Sequence, residues 1–485
     1  SNPAYYAKHL YVLDEDNNWY EPKDLVIKNG VTSINKYSLL NLSSLTSIEL
    51  PATITKIGEL AFDGCQNLLN VYYRGTILQW HNIIKESNPM NYAAHLYFLN
   101  DENEWYEPTK MVLPEGLEVL DQNILNTFPN VTHLVIPGSY QKISNYSFYN
   151  AEKLEIIEIQ SGIIEIENDA FGACYNLQTI YLPNTVTKIS DNVFNSCYNL
   201  QTIYFDGTIE EWMNIEFNSD YSNPLVYGGK LYLLESGVYK ELVDLEIPSS
   251  FSTIEANAFN NFNYVKKVII PNTVTTINSY AFDNFYNLET VEIASSVTKI
   301  NDNAFSNCNK LEYIYYNGTL EDWMNVEFST QYSNPMYYAK HLYLLNENNE
   351  WYELVDVVIP DGINKINDYT FFNLSTIKTI KFNDNLTSIG CYSFCGATNL
   401  REIYLSEIKE HAFANCSNLD AVYYYGSISE LLNILYNYPN TFDTTLNHLY
   451  VLDDNNKWIE PSVIEFSDSF EYIDNNLLSY FRNVE

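Results

Sequence analysis

Cysteine and histidine are the residue types in this sequence that could act as nucleophiles or hold a metal ion, and their spacing follows a repeat. Five of the seven cysteines occupy one slot, three residues after a recurring phenylalanine: Cys65, Cys174, Cys197, Cys308 and Cys416. Other copies have Phe262 or Ala397 in the same slot. Since large and small apolar residues share it, we interpret the slot as a core position where cysteine acts as a small apolar side chain.

Two pairs of cysteines could react with each other or with a metal. Cys174 and Cys197 lie one repeat apart, near disulfide distance, and the sequence leaves open whether they are bridged. Cys391 and Cys395 form a Cys-x-x-x-Cys pair without a matching second pair of Cys or His residues. We therefore expect no zinc site there.

The histidines recur in the phrase His-Leu-Tyr, at His9, His95, His341 and His448. Lys230 takes the place of histidine in one further copy. A position that accepts lysine is structural or exposed rather than catalytic. Because neither His nor Cys converges on one place in the sequence, we expect no catalytic residues, no cofactor and no enzyme activity.

Acidic turns are the remaining candidates for metal chemistry. Two of them resemble the opening of a calcium loop, and they contain Asp14, Asp16, Asn18, Asp453, Asp454 and Asn455. Both lack the glycine and the terminal glutamate at the spacing that a calcium loop requires. Because Asp and Asn are also favoured in solvent-exposed turns, we expect turns here and consider calcium unlikely.

The elements that position these residues are copies of one unit, and the stretch Leu177–Phe205 contains it with its beginning repeated. The phrase Leu-x-x-Ile-x-[Leu or Phe] recurs after 23 residues, from Leu177 to Leu200. Such a period predicts a solenoid, in which each coil covers the apolar edge of its neighbours. The central apolar residue of the unit recurs at Ile34, Ile57, Leu120, Ile143, Ile166, Ile189, Ile254, Ile277, Ile300, Ile366, Ile389, Ile408 and Ile473.

Each unit is predicted to contribute one long and one short wall to the coil. The Leu-x-x-Ile-x-Leu phrase alternates and is rich in β-branched residues, so we predict a parallel strand in each copy, about 17 rungs from Leu25/Ile27 to Ile464/Phe466. The Val-Thr-x-Ile phrase opposite predicts a short strand and a turn. The fold class is therefore mainly β with short helices, a right-handed solenoid with a long parallel sheet.

Four longer coils interrupt the regular units, and they start at Gly75, Gly207, Gly318 and Gly426. Each begins with a capping-box pattern, or one close to it, and an apolar stripe that predict a short helix, followed by a loop and a hairpin, and the loop contains Asn-Pro in the first three. We expect the helix residues Trp80, Trp212 and Trp323 to be buried. The predicted organisation is one continuous solenoid over residues 1–485, a fragment of a longer protein, with insertions near 1–24, 75–108, 207–242, 318–354 and 426–462.

Composition limits the classes of partner. Hydrophobic residues make up 46% of the chain and aromatic residues 15%, which excludes a disordered chain despite a net charge of −37. That charge disfavours nucleic acid and anionic membranes and favours basic partners. The sequence contains no apolar run long enough to insert into a membrane.

The repeated units resemble a known family. The segments LPNTVTKISDNVFNSCYNLQTI and IPNTVTTINSYAFDNFYNLETV, together with the insertion phrase YYNGTLEDWMNV, are similar to the BspA-like class of leucine-rich repeats. The resemblance covers essentially the whole chain. It implies a cell-surface or secreted bacterial protein, and some members of the class bind host extracellular-matrix proteins or other cells. It supplies no catalytic residues.

A candidate binding face follows from the alternation of side chains in each predicted strand. The residue between the two buried positions points out of the sheet. Tyrosine and glutamate predominate there, and we select as candidate protein-binding residues Tyr72, Tyr181, Tyr204, Tyr315, Tyr404, Tyr423, Glu158, Glu246 and Glu292.

Two functions remain open for this face. In the first, the chain is an adhesin that binds host matrix or neighbouring-cell proteins, with the tyrosine rings as contacts, because tyrosine is enriched at interfaces. Alternatively, the chain is a structural or decoy surface array without a specific ligand, and the tyrosines stabilise the sheet by stacking on each other.

Overall fold

The computed structural model describes residues 11–13, 16–115, 125, 128, 130–255, 259, 261–383, 385–405, 412–437, 448–453 and 457–464. Contacts divide the chain into two units, residues 1–241 and 242–485. Each unit contains two blocks of stacked coils, and every block ends in an antiparallel hairpin. No helix among the described residues is both long and apolar enough to span a bilayer.

The long wall of each coil is a strand with alternating burial. In Thr179–Leu182 the residues Ile180 and Leu182 are buried, while Tyr181 is half-buried on the other face. This strand pairs in parallel with Thr202–Phe205, so that Tyr181 lies beside Tyr204. Because the coil period keeps like residues in register, side chains of one type form columns across the sheet. The predicted parallel strands are confirmed.

We call the sheets built from these strands the wide sheets. In the first unit, one wide sheet consists of the strands Asp24–Val26, Ser47–Leu50, Asn70–Tyr73, His95–Leu99 and Trp105–Tyr106. The other wide sheet of this unit consists of Lys110–Val112, His133–Ile136, Ile156–Ile159, Thr179–Leu182, Thr202–Phe205, Lys230–Glu235 and Val238–Glu241. In the second unit, one wide sheet consists of the strands Asp244–Glu246, Lys267–Ile270, Thr290–Ala294, Tyr313–Asn317, His341–Leu345 and Trp351–Glu353. The other wide sheet of this unit consists of Asp356–Val358, Thr379–Lys381, Glu402–Leu405, Ala421–Tyr424, His448–Leu452 and Trp458–Ile459. A separate pair, Val12–Leu13 with Trp19–Tyr20, precedes them.

The opposite wall forms narrow sheets of two-residue strands, as the Val-Thr-x-Ile phrase predicts. A turn with left-handed residues follows, for example Asn192 at φ 58° and Ser196 at φ 64°. The narrow strands are Ser33–Ile34, Lys56–Ile57 and Ile84–Lys85; Lys142–Ile143, Glu165–Ile166, Lys188–Ile189 and Glu216–Phe217; Thr253–Ile254, Thr276–Ile277, Lys299–Ile300 and Glu327–Phe328; and Lys365–Ile366 and Ser388–Ile389.

The core lies between the two walls and is built of columns. Phe148, Phe171 and Phe194 stack with centroid distances of 5.6 and 6.1 Å. In the neighbouring cysteine column the Cys174 thiol donates to the Phe148 carbonyl at 3.3 Å, and Cys197 donates to Phe171 at 3.2 Å. All seven cysteines lie within the described residues and none forms a disulfide. Burial raises the pKa of the Cys197 thiol to about 12, as expected for an inert core residue.

The longer coils carry the four helices, α1 (Ile77–Asn82), α2 (Ile209–Met213), α3 (Leu320–Met324) and α4 (Ile428–Asn437). The first three have complete capping boxes, in which the threonine hydroxyl accepts from the backbone amide three residues later, and the threonine's own backbone amide donates to the side chain of that residue. Their tryptophans, Trp80, Trp212 and Trp323, are at most 2% exposed, which confirms the predicted burial. The three Asn-Pro segments form the 3-10 turns Pro89–Asn91, Pro224–Tyr227 and Pro335–Tyr337. Two further 3-10 turns are Gly138–Tyr140 and Asp220–Ser222.

The hairpins contribute strands that the predicted rung count omits. The first strand of each hairpin joins its wide sheet in parallel, and the second strand, antiparallel to it, ends that sheet. The described residues therefore contain sixteen of the predicted rungs and four further parallel strands from the hairpins. Predicted positions that fall outside the described residues are His9, Asp14, Leu120, Ile408, Asp454, Asn455, Glu465, Phe466 and Ile473.

Candidate protein-binding face

The outward face of the wide sheets carries stacked tyrosines. The ring centroids of Tyr181 and Tyr204 lie 4.5 Å apart with planes 17° from parallel, and those of Tyr404 and Tyr423 lie 4.3 Å apart at 7°. These rings are half-buried, because each covers one face of its neighbour. Both predicted pairs therefore form, but their rings are half-buried rather than fully exposed.

Each tyrosine column continues onto a hairpin. The strands His95–Leu99, Lys230–Glu235, His341–Leu345 and His448–Leu452 place a tyrosine beside the last regular rung. The resulting pairs are Tyr72 with Tyr97 at 4.8 Å, Tyr204 with Tyr232 at 5.1 Å, Tyr315 with Tyr343 at 4.8 Å and Tyr423 with Tyr450 at 4.6 Å. Sequence reasoning missed these four hairpin tyrosines. The signal was present, since His-Leu-Tyr-x-Leu alternates like the regular strand phrase.

A further ring from the antiparallel hairpin strand packs across each column. The distances between ring centroids are 5.1 Å for Trp105 and Tyr72, 4.7 Å for Tyr239 and Tyr204, 5.3 Å for Trp351 and Tyr315, and 5.2 Å for Trp458 and Tyr423. We call the resulting clusters aromatic corners. They are corner 1 (Tyr72, Tyr97, Trp105), corner 2 (Tyr181, Tyr204, Tyr232, Tyr239), corner 3 (Tyr315, Tyr343, Trp351) and corner 4 (Tyr404, Tyr423, Tyr450, Trp458).

The corner tyrosines are suited to contacts that combine apolar area with a hydrogen bond. Burial raises the pKa of Tyr181 and of Tyr423 above the ordinary value, so both hydroxyls are protonated at neutral pH. A protonated phenol can donate and accept, while its ring supplies apolar surface. The corners therefore present neutral, amphipathic surface on a strongly acidic chain.

The three candidate glutamates differ in their surroundings. Glu158 pairs in register with Tyr181, and Glu292 pairs in register with Tyr315. Each is also bound to a lysine of the chain, Glu158 to Lys110 Nζ at 3.1 Å and Glu292 to Lys267 Nζ at 2.7 Å. Glu246 is exposed on the first strand of its block and is not brought next to a tyrosine by the pairing register.

Each described histidine position of the His-Leu-Tyr phrase contacts a glutamate within the same hairpin. His95 Nδ1 lies 3.0 Å from Glu107 Oε2, His341 Nδ1 lies 2.6 Å from Glu353 Oε1, and His448 Nδ1 lies 3.2 Å from Glu460 Oε1. In the copy that has lysine, Lys230 Nζ lies 2.8 Å from Glu241 Oε1. The pairing explains why lysine can replace histidine, and it confirms that the position is structural.

The acidic hairpin turns use their polar side chains to bind their own backbone. Asn100 Oδ1 accepts from the amides of Glu102 and Glu104, and Asn346 Oδ1 accepts from those of Asn348 and Glu350. These bonds are the turn role that asparagine commonly has. Among the residues that the structure describes, no group of His, Cys, Asp or Glu is arranged to hold a metal ion.

A second set of exposed tyrosines lies in the turns of the first unit, and sequence reasoning did not select it. We call these the turn tyrosines; they are Tyr149, Tyr175 and Tyr198, with exposures of 48, 42 and 63%. Tyr175 and Tyr198 stack at 6.3 Å. The repeated Cys-Tyr-Asn-Leu phrase at Cys174 and Cys197 was the signal. This set is a second exposed aromatic surface, and it provides a control for the sheet face.

Comparisons with known proteins identify the family but do not identify a ligand. A family model described as "BspA type Leucine rich repeat region (6 copies)" matches residues 18–83, 104–223, 238–348 and 346–447. No curated protein is similar enough to count as a match.

Several solved structures are similar at low identity. A leucine-rich cell surface protein from Faecalibacterium prausnitzii is 20% identical, with 88% of this chain and 96% of that chain covered and a TM-score of 0.24. A leucine-rich repeat protein from Bacteroides ovatus is 16% identical, with 90% of each chain covered and a TM-score of 0.33. The pneumococcal vaccine antigen PcpA is 14% identical, with 89% of each chain covered and a TM-score of 0.27.

The family match spans most of the chain, and the repeating coils, with their parallel strands and buried apolar columns, agree with it. The chain belongs to the BspA type leucine-rich-repeat family.

Proposed function

We propose that this protein is a non-enzymatic cell-surface or secreted binding protein, an adhesin that contacts host extracellular-matrix proteins or proteins of neighbouring cells. The contact face is the outward face of the wide sheets. The observation that carries the proposal is the recurrence of an aromatic corner at the end of each of the four wide sheets. Such corners are a repeated surface feature rather than a single packing accident.

Tyrosine and tryptophan are suited to this task. Their rings offer large contact area and lose little conformational entropy when they bind, which is why they dominate protein interfaces. In the corners the rings are already held by stacking, so binding costs even less ordering. We include in the face the selected residues and the hairpin rings that extend them, Tyr97, Tyr232, Tyr343 and Tyr450.

The charge of the chain indicates the kind of partner. A net charge of −37 attracts basic protein surfaces and repels nucleic acid and anionic lipid. The paired glutamates contribute less to this field than an unpaired carboxylate would, because Lys110 and Lys267 neutralise them locally. The attraction therefore comes mainly from the whole acidic surface, and the rings provide the local contact.

A triple substitution tests the proposal. Tyr181→Ser, Tyr204→Ser and Tyr315→Ser together should weaken capture of the protein by a panel of immobilised matrix proteins (fibronectin, laminin and collagen) and leave the melting temperature little changed. The matched control replaces the turn tyrosines Tyr149, Tyr175 and Tyr198 with serine. Unaltered capture by the first variant, or equal loss in both, would reject the sheet face as the binding face.

One observation favours the second candidate, a structural surface array without a specific ligand. The corner rings are half-buried because they cover each other, and stacking of this kind stabilises a sheet by itself. In that case the triple substitution lowers the melting temperature strongly, and the panel captures neither the parent chain nor the variants.

A further inference from the structure

Corner 1 contains a cation that the chain itself supplies. The Arg74 guanidinium lies over the Trp105 ring, 5.6 Å from the ring centroid, and its Nε binds Glu49. Arg74 directly follows the strand Asn70–Tyr73, which carries Tyr72. The corner therefore holds a guanidinium between an indole face and a carboxylate, an arrangement that combines a cation–π contact with a charge-assisted hydrogen bond.

Corner 3 repeats this frame. Tyr315 and Tyr343 stack at 4.8 Å, the same distance as Tyr72 and Tyr97. Trp351 meets Tyr315 at 5.3 Å, close to the 5.1 Å between Trp105 and Tyr72. The carboxylates correspond as well, because Glu292 pairs in register with Tyr315 as Glu49 pairs with Tyr72.

The two corners differ at the position of the cation. Tyr316, Asn317 and Gly318 correspond to Tyr73, Arg74 and Gly75, since each triplet lies where the last regular strand ends, directly before the threonine that caps the helix. Corner 3 thus has a short, neutral, exposed side chain, Asn317, where corner 1 has arginine.

The tryptophan rings of the corners differ in their exposure to solvent. Trp351 is 43% exposed, whereas Trp105 and Trp458 are half-buried. In corner 4 the ring of Tyr425, which occupies the position of Arg74, lies 5.1 Å from Trp458. In corner 2 the same position is Asp206, which accepts a hydrogen bond from Tyr239. Corner 3 is therefore the corner in which this position leaves the indole open to solvent.

We propose that corner 3 binds the guanidinium of an arginine side chain from a partner protein, in the place that Arg74 takes in corner 1. This inference rests on the proposed protein-binding function and names the chemistry of the partner. Trp351 supplies the ring face. Glu292 supplies a carboxylate, of which Oε1 is bound by Lys267, so that the second oxygen receives the guanidinium.

Arginine suits this corner better than lysine. Its planar group stacks on an aromatic face and donates in fixed directions to a carboxylate, whereas an ammonium ion is more strongly hydrated and has no plane. The acidic chain, with a net charge of −37, raises the local concentration of a basic segment.

Fluorine NMR of the whole chain, with 5-fluorotryptophan incorporated, tests the assignment. The Trp351 resonance is identified by its loss in Trp351→Phe, and the probe is the peptide acetyl-Gly-Ser-Arg-Ser-Gly-amide. We expect the peptide to shift this resonance in a saturable manner. The lysine analogue should bind about fivefold more weakly, and the citrulline analogue, which keeps the shape without the charge, should give no saturable shift.

Two exchanges between the corners make the test specific. Asn317→Arg should fill corner 3 with an arginine of the chain and abolish the response of Trp351, while Asn317→Gln should preserve it. Arg74→Asn should open corner 1, so that the Trp105 resonance also responds. The proposal is overturned if the Trp351 resonance does not respond, responds equally to the citrulline peptide, or still responds in Asn317→Arg when that variant has the melting temperature of the parent.

The result separates this inference from the proposed function. If Trp351 is silent while the tyrosine triple variant still loses matrix capture, the sheet face binds proteins but corner 3 is not an arginine site. If Trp351 responds while the panel captures nothing, corner 3 binds arginine and the adhesin proposal fails.

Discussion

At the scale of single residues, the period of the sequence determined what could be predicted. Ile189 and its equivalents were identified as interior by their spacing alone, and Ile189 is completely buried between Ile166 and Phe217 on the narrow sheet. The partner of each hairpin histidine was not predicted. Glu107 and Glu353 lie 12 residues after their histidines, a distance set by the hairpin and not by the repeat, so no period indicates them.

Replacing Ile189 with aspartate tests this register. The variant buries a charge without a partner between two coils, and we expect the free energy of unfolding to fall by about 3 kcal/mol or more, measured in urea. Gln178→Asp adds the same charge at an exposed position and should change stability by less than about 0.5 kcal/mol. A loss below about 1 kcal/mol for Ile189→Asp would place this isoleucine at the surface.

At the scale of elements, the helices and the hairpins were predictable, but the pairing of the hairpin strands with the wide sheets was not. The capping-box patterns and the apolar stripes indicated the four short helices, because these signals are local. The hairpin strands join the wide sheets only after a longer coil, so the fixed step between rungs is lost there. For the same reason the aromatic corners, which combine a regular strand with both hairpin strands, could not be assembled from the repeat.

One element departs from its equivalents in a way that makes stability depend on pH. The ring of Phe217 packs on Trp212 with a centroid distance of 5.7 Å, and Phe328 packs on Trp323 at 5.5 Å. The first block has Lys85 at the equivalent position, and its Nζ lies 5.0 Å from the centroid of the Trp80 ring. Burial lowers the pKa of Lys85 to about 8.

The unfolded chain keeps the ordinary lysine pKa of 10.5, so between about pH 8 and 10.5 the unfolded state binds more protons and the Lys85 contribution to stability rises with pH. Lys85→Phe should stabilise the chain at pH 7 and remove this rise. The measurement is the difference in free energy of unfolding between variant and parent from pH 7 to 9.5. A difference that stays constant over this range would show that Lys85 is not desolvated.

At the scale of the whole molecule, the sequence predicted the family fold and the surface charge better than the function. The family match and the stacked sheets agree with the predicted leucine-rich repeats. That residues 1–485 form one continuous solenoid stays a prediction. The function depends on which surface a partner selects, and both the corners and the turn tyrosines offer aromatic groups. Composition cannot separate them, because tyrosine is present both on the wide sheets and in the turns.

Site-specific photo-crosslinking tests the central claim, that the outward face of the wide sheet binds the partner. A benzophenone amino acid is placed at Thr202, two residues before Tyr204 on the same face, or at Tyr198 in the turn. With the matrix panel as partner, the account predicts crosslinks from position 202 and few or none from position 198. Crosslinks from position 198 alone, or equally from both, would contradict it.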